Sequence, residues 1–158
     1  MTLPPYRIEE VLPHARPMIL LDEVTGMDES GLSAALTVRP GTPFFKAGRG
    51  VPAYVAIEWM AQACGAYVGV TALDARQPVR MGLLLGTRNF RATVPWFLPG
   101  ERLIVLAAPV FMNAEMGAFD CRVSRAANDV ELATASLTLY RPDDVMGFLA
   151  AQANRMKK

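Results

Sequence analysis

The chain has 158 residues, 52% of them hydrophobic and 20% charged, with a formal net charge of +1. That length supports a sizeable core, and that apolar fraction excludes an intrinsically disordered chain. The near-neutral balance gives no global electrostatic reason for a nucleic-acid partner, and none is expected.

The opening MTLPPYRIEE lacks the basic-then-apolar pattern of a signal peptide, so a cytoplasmic location is expected. Residues Tyr6 to Leu12 predict a short helix halted by Pro13. After Pro17, MILLDEVTGMD reads as a β-prone apolar run broken by Gly26, and Leu32 to Val38 alternates as its hairpin partner across 28–31. Residues 39–50, rich in Pro and Gly, read as a loop with Phe44 and Phe45 pinned inward.

A helix is predicted from about Ala53 to Leu73, with Pro52 marking its start. It is apolar or small on nearly every side, the pattern of a helix wrapped by protein. Glu58 and Gln62, four residues apart, share one of its faces. A carboxylate in apolar surroundings costs free energy unless something uses it, so Glu58 is the leading candidate functional group. The same Glu and Gln, and the lack of a second span, argue against a membrane helix.

A turn over 74–78 leads into segments read as strands: 80–94, 102–112, 117–126 and 130–140, with PWFLPGE as an intervening turn. The tail from Asp143 to Met156 reads as an amphipathic helix with Asp143 or Asp144 as N-cap. Cys64 and Cys121 lack metal-ligand spacing and are expected as buried free thiols. No phosphate loop, dinucleotide fingerprint or metal cluster is visible, so no cofactor and no metal are expected. A hairpin, one long apolar helix and then several long strands make an α+β layout. An antiparallel sheet curled around that helix, the hotdog fold, buries it most economically, as a single domain over 1–158.

Several segments resemble one family. LPHARPMILLDEV at 12–24, PFF at 43–45, IEWMAQACG at 57–65 and GTRNFRATV with PGERL across 86–103 are similar to bacterial (3R)-hydroxyacyl-acyl-carrier-protein dehydratases, which are hotdog enzymes. VPAYVAIEWMAQA, MGLLLGTRNF and FDCRV look closer to a divergent branch, the dehydratase-like proteins of aryl polyene and related fatty acid gene clusters. The chain departs from the main family where a catalytic histidine precedes the helix. Here that stretch is KAGRGVP, shorter and without histidine, and the only histidine is His14.

The resemblance implies elimination of water from a 3-hydroxyacyl thioester to a trans-2-enoyl thioester, with a base for the C2 proton and an acid for the leaving hydroxyl. Glu58 matches the family's carboxyl group, and a desolvated tunnel would raise its pKa to suit an acid. Gln62 would orient it or bind the leaving water. His14 either acts as the base or braces local structure. Backbone N–H groups near Pro52 and Ala53 would polarise the thioester carbonyl. Phe44, Phe45, Trp59, Met60 and Met81 are candidates to line an acyl tunnel, against the plainer reading of core. Arg80, Arg88 and Arg91, with Arg102 nearby, are candidates to dock an acidic acyl carrier protein, with CoA thioesters as the alternative substrate.

Three readings follow: a dehydratase, as a homodimer using His14 or a heterodimer whose related hotdog partner supplies the base; an acyl thioesterase; or a non-catalytic acyl-binding or scaffolding subunit. A dimer is expected in each case, because edge-to-edge pairing removes exposed strand edges.

Overall fold

The computed structural model describes residues 1–80, 82–141 and 145–156. In chain order the elements are α1 (Ile8–Val11), β1 (Glu23–Asp28), β2 (Gly31–Thr37), β3 (Val51–Pro52), a 3-10 turn (Ala53–Val55) and α2 (Ala56–Asp74). They continue with β4 (Leu83–Ala92), β5 (Trp96–Phe97), β6 (Arg102–Met112), β7 (Met116–Arg125), β8 (Glu131–Tyr140) and α3 (Val145–Met156). Six strands form one sheet in the order β1-β2-β6-β7-β8-β4, every pair antiparallel. The sheet packs on α2, which is the α+β hotdog arrangement read from the sequence.

Period-two alternation puts Leu103, Val105 and Ala107 of β6, and Phe119, Cys121 and Val123 of β7, on the inner face. They meet Trp59, Met60, Ala63, Cys64, Ala66 and Val70 of α2, all buried. Small helix residues permit close approach. A Cβ added at Gly69 would stand 1.9 Å from the Val11 carbonyl oxygen, so α1 can lie against α2 only because position 69 is glycine. Two contacts fix how α2 runs over β7: Cys64 Sγ lies 3.4 Å from Cys121 Sγ, and the Tyr67 ring stands edge-on to Phe119 at 5.8 Å. Both cysteines are free, and burial pushes the Cys64 thiol up, which leaves it unreactive.

The structure departs from the sequence reading at several points. Residues 18–22 precede the strand, and Gly26 lies inside β1 at a bulge instead of breaking it. Trp96 and Phe97 pair with Val51 and Pro52 as a second, two-stranded sheet, where a turn was expected. Phe44 points outward, 52% exposed, because its backbone takes φ 70°, while Phe45 is half-buried. Asp143, Asp144 and Met81 lie outside the described residues.

Helix α2 is also not enclosed on every side in the single chain. Ile57, Ala61, Gly65 and Val68 are half-buried and Glu58 is exposed, which leaves one open stripe along the helix. Beside it, β4 is the last strand of the sheet and exposes Leu84 and Leu85. Among the described residues, its outer edge has no strand partner. No described helix is long and apolar enough to cross a membrane.

Candidate functional site

The open stripe of α2 borders a cavity of about 170 Å³. Glu58, Gln62 and His14 all line it, so the structure brings together the acid candidate, its amide neighbour and the chain's one imidazole. Glu58 and Val68 both line it and are ten residues apart on one helix, so the cavity follows α2 for about 15 Å. Its apolar lining includes Leu12, Val68, Met112, Met116, Phe119 and Leu139.

Gln62 is the fixed point of this site. It is 4% exposed, and its Oε1 accepts the Leu20 N–H at 2.8 Å. Its Nε2 donates to the Met18 carbonyl at 2.7 Å and to Glu58 Oε1 at 3.1 Å. Both amide hydrogens are therefore engaged, and the side chain orients Glu58 while it ties residues 18–20 to the helix. Among the described residues Glu58 has no cationic partner, neither Arg88 nor Arg91.

Burial corrects one expectation about Glu58. A dry tunnel was expected around it, yet the side chain is exposed at the cavity rim. The reason is geometric: the cavity is open to solvent at the Glu58 side chain. His14 is exposed as well.

The other candidates separate. Phe44, Phe45, Pro52, Ala53 and Trp59 do not line the cavity that holds Glu58. Trp59 is core, packed on Phe97 at 4.8 Å between ring centroids, and borders a small separate void of about 50 Å³. Met60 is fully buried. Pro52 has no N–H, and the Ala53 N–H donates to the Pro95 carbonyl at 3.0 Å, so neither offers a free donor for a thioester oxygen. The arginines do not form one patch: Arg80 lines the cavity, Arg88 and Arg91 are exposed on β4, and Arg102 pairs with Glu23. The sequence reading placed the β6–β7 turn but not its role in the site: Met112, Asn113 and Met116 reach the cavity. Only the strand register brings that turn to the helix, and no local pattern signals it.

Residues 6–150 match the ApeP-like family, described as ApeP dehydratase. The chain belongs to the ApeP-like dehydratase family. It is similar to a chain of the dehydratase heterocomplex ApeI:P from Xenorhabdus doucetiae, with 28% identity over 92% of this chain and 97% of that one, and a TM-score of 0.85. It also resembles smu.793 from Streptococcus mutans UA159, solved bound to acetyl CoA (14% identity, 83% and 95% covered, TM-score 0.60). A hypothetical thioesterase protein from Streptococcus pneumoniae TIGR4, solved with coenzyme A, is similar at 11% identity, 76% and 84% covered, and TM-score 0.59. Those last two likenesses concern the fold alone. Family membership puts the ApeP-like name beside a site with a braced carboxylate and a single imidazole.

Proposed function

We propose that this ApeP-like chain is the Glu58-bearing subunit of a heteromeric 3-hydroxyacyl thioester dehydratase. A base removes the C2 proton, the C2–C3 double bond forms, and the C3 hydroxyl leaves as water with a proton from the Glu58 carboxyl group. The observation that carries this reading is Glu58 itself, steered by Gln62 onto the rim of an open cavity lined by both apolar and charged side chains. A related hotdog subunit laid along the bare β4 edge would cover that opening and exclude water from the reacting groups. It would also bring the imidazole missing ahead of α2. The likeness to a chain of a dehydratase heterocomplex supports this choice over a homodimer that relies on His14. An acyl carrier protein is the proposed donor of the thioester, steered by exposed Arg88 and Arg91.

Mixing the chain with a related hotdog subunit from the same organism tests the proposal. The mixture should form enoyl thioester from 3-hydroxyacyl thioester where neither protein does so alone, and His14→Ala should leave that rate unchanged. An intact complex with no gain in enoyl product would end the proposal. Release of free thiol without enoyl product would replace dehydration by hydrolysis.

A further inference from the structure

We propose that the outer face of the sheet, turned away from α2, is a contact between two copies of this chain, so that two heterodimers join back to back. The heterodimer comes from the reading above, but the contact itself does not depend on dehydration. Its first support is the composition of β6. The inward residues are Leu103, Val105 and Ala107, and those between them, Ile104, Leu106 and Ala108, are apolar as well. An antiparallel strand with one face in water alternates apolar with polar, whereas a strand covered on both faces reads as a continuous apolar run. β6 is third in the six-strand sheet and has the second pattern. Beyond the bulge after Pro109 the outer register passes to Phe111, which pairs with Ala118. Phe111 is 56% exposed and Val110 beside it 66%.

The second support is how the polar groups of this face are occupied. Thr25 Oγ1 donates to Ser33 Oγ, and Ser136 Oγ donates to Asp120 Oδ1, both at 2.8 Å. Arg122 pairs with Asp129 at 2.7 Å, and Arg102 pairs with Glu23. Each of these groups has a partner inside its own chain, so covering the face leaves them hydrogen-bonded. A two-fold contact sets a patch against itself, where net charge would repel. A face whose arginines are matched internally suits a second copy and offers little to a strongly acidic or basic partner.

The third support is shape and area. This face holds a shallow depression of about 340 Å³, lined by Leu106, Ala108, Asp120, Arg122, Thr134 and Ser136. The small side chains at 108, 134 and 136 leave it open, and Phe111 and Val110 of a second copy are the protruding apolar groups that fill it. Strands β2, β6, β7 and β8 have 7, 11, 10 and 10 residues. With strands about 4.8 Å apart and a rise of about 3.3 Å per residue, they present roughly 600 Å². Two copies thus bury about 1,200 Å², the size of a specific contact. β4 lies outside this footprint and stays available to the hotdog partner.

Sedimentation of the full chain with its hotdog partner tests this. The native complex should have the mass of two heterodimers. Phe111→Asp, which places a carboxylate at the contact, and Ala108→Arg, which fills the depression, should each halve that mass with the hotdog partner still bound. Both positions face outward, so melting temperatures should stay unchanged. Leu85→Asp should instead release the hotdog partner and leave two copies of this chain joined. A native complex with the mass of one heterodimer would overturn the inference, and so would a doubled mass that neither outer-face variant lowers. If the hotdog partner never binds, the heteromeric reading falls. A pair of this chain that Phe111→Asp splits would still support the contact.

Discussion

Gln62 contributes three hydrogen bonds from one buried amide, and two of them reach residues 42 and 44 positions upstream. Gln62→Ala removes the partners of the Leu20 N–H and the Met18 carbonyl, both in part-buried surroundings, and a net hydrogen bond is worth about 0.5–1.5 kcal/mol. Urea denaturation should show a loss in that range, together with slower turnover because Glu58 loses its brace. The two thiols give a second expectation. With Cys64 and Cys121 fully packed and the Cys64 thiol pushed up by burial, iodoacetamide should label neither in the folded protein and both after unfolding. Rapid native labelling would show that the helix opens from the sheet. The Glu58–Gln62 pair was legible in the sequence because four-residue spacing fixes a shared helix face whatever surrounds it. The other partners of Gln62 were not legible, because they depend on where a distant extended segment crosses the helix. Nor was the exposure of Glu58, since burial of a rim residue depends on what lies opposite.

Among elements, α2 was legible from its length, its apolarity and the proline before it, and β6 was legible to the residue from its run of apolar and small residues. Residues 18–22 look equally strand-like. Residues 18–20 stay outside β1 because Gln62 takes the Leu20 N–H and Met18 carbonyl, and the first bond to β2 comes at Asp22, whose N–H donates to the Ala35 carbonyl. Trp96–Phe97 was read as a turn because two prolines flank a short segment, yet two residues suffice to pair with Val51–Pro52. Helix α1 depends on glycine in its neighbour. Gly69→Ala places a methyl group inside the Val11 carbonyl contact, where overpacking costs about 1–3 kcal/mol. A drop in melting temperature should accompany exposure of the N-terminal segment to protease, and an unchanged melting temperature would contradict the close approach.

At the scale of the whole molecule, β4 exposes Leu84 and Leu85, and Leu84 also lines the cavity. A partner laid along the β4 edge would meet that strand. Leu85 falls at a bulge where β4 and β8 lose register, and it is 51% exposed. Leu85→Asp should therefore leave the fold intact and weaken association, as read by light scattering on eluting complexes. Arg88→Glu with Arg91→Glu should raise KM for a carrier-borne substrate and leave KM for a pantetheine substrate unchanged. Raised salt should mimic that effect in the native protein.

The central claim is that the Glu58 carboxyl group protonates the departing hydroxyl inside a two-subunit site. Single-turnover enoyl formation by the reconstituted complex carrying Glu58→Gln measures it most directly, since glutamine keeps the shape and removes the acidic proton. The account predicts a fall of about 10²–10⁴-fold with the complex still assembled. Enoyl formation at the native rate would contradict it.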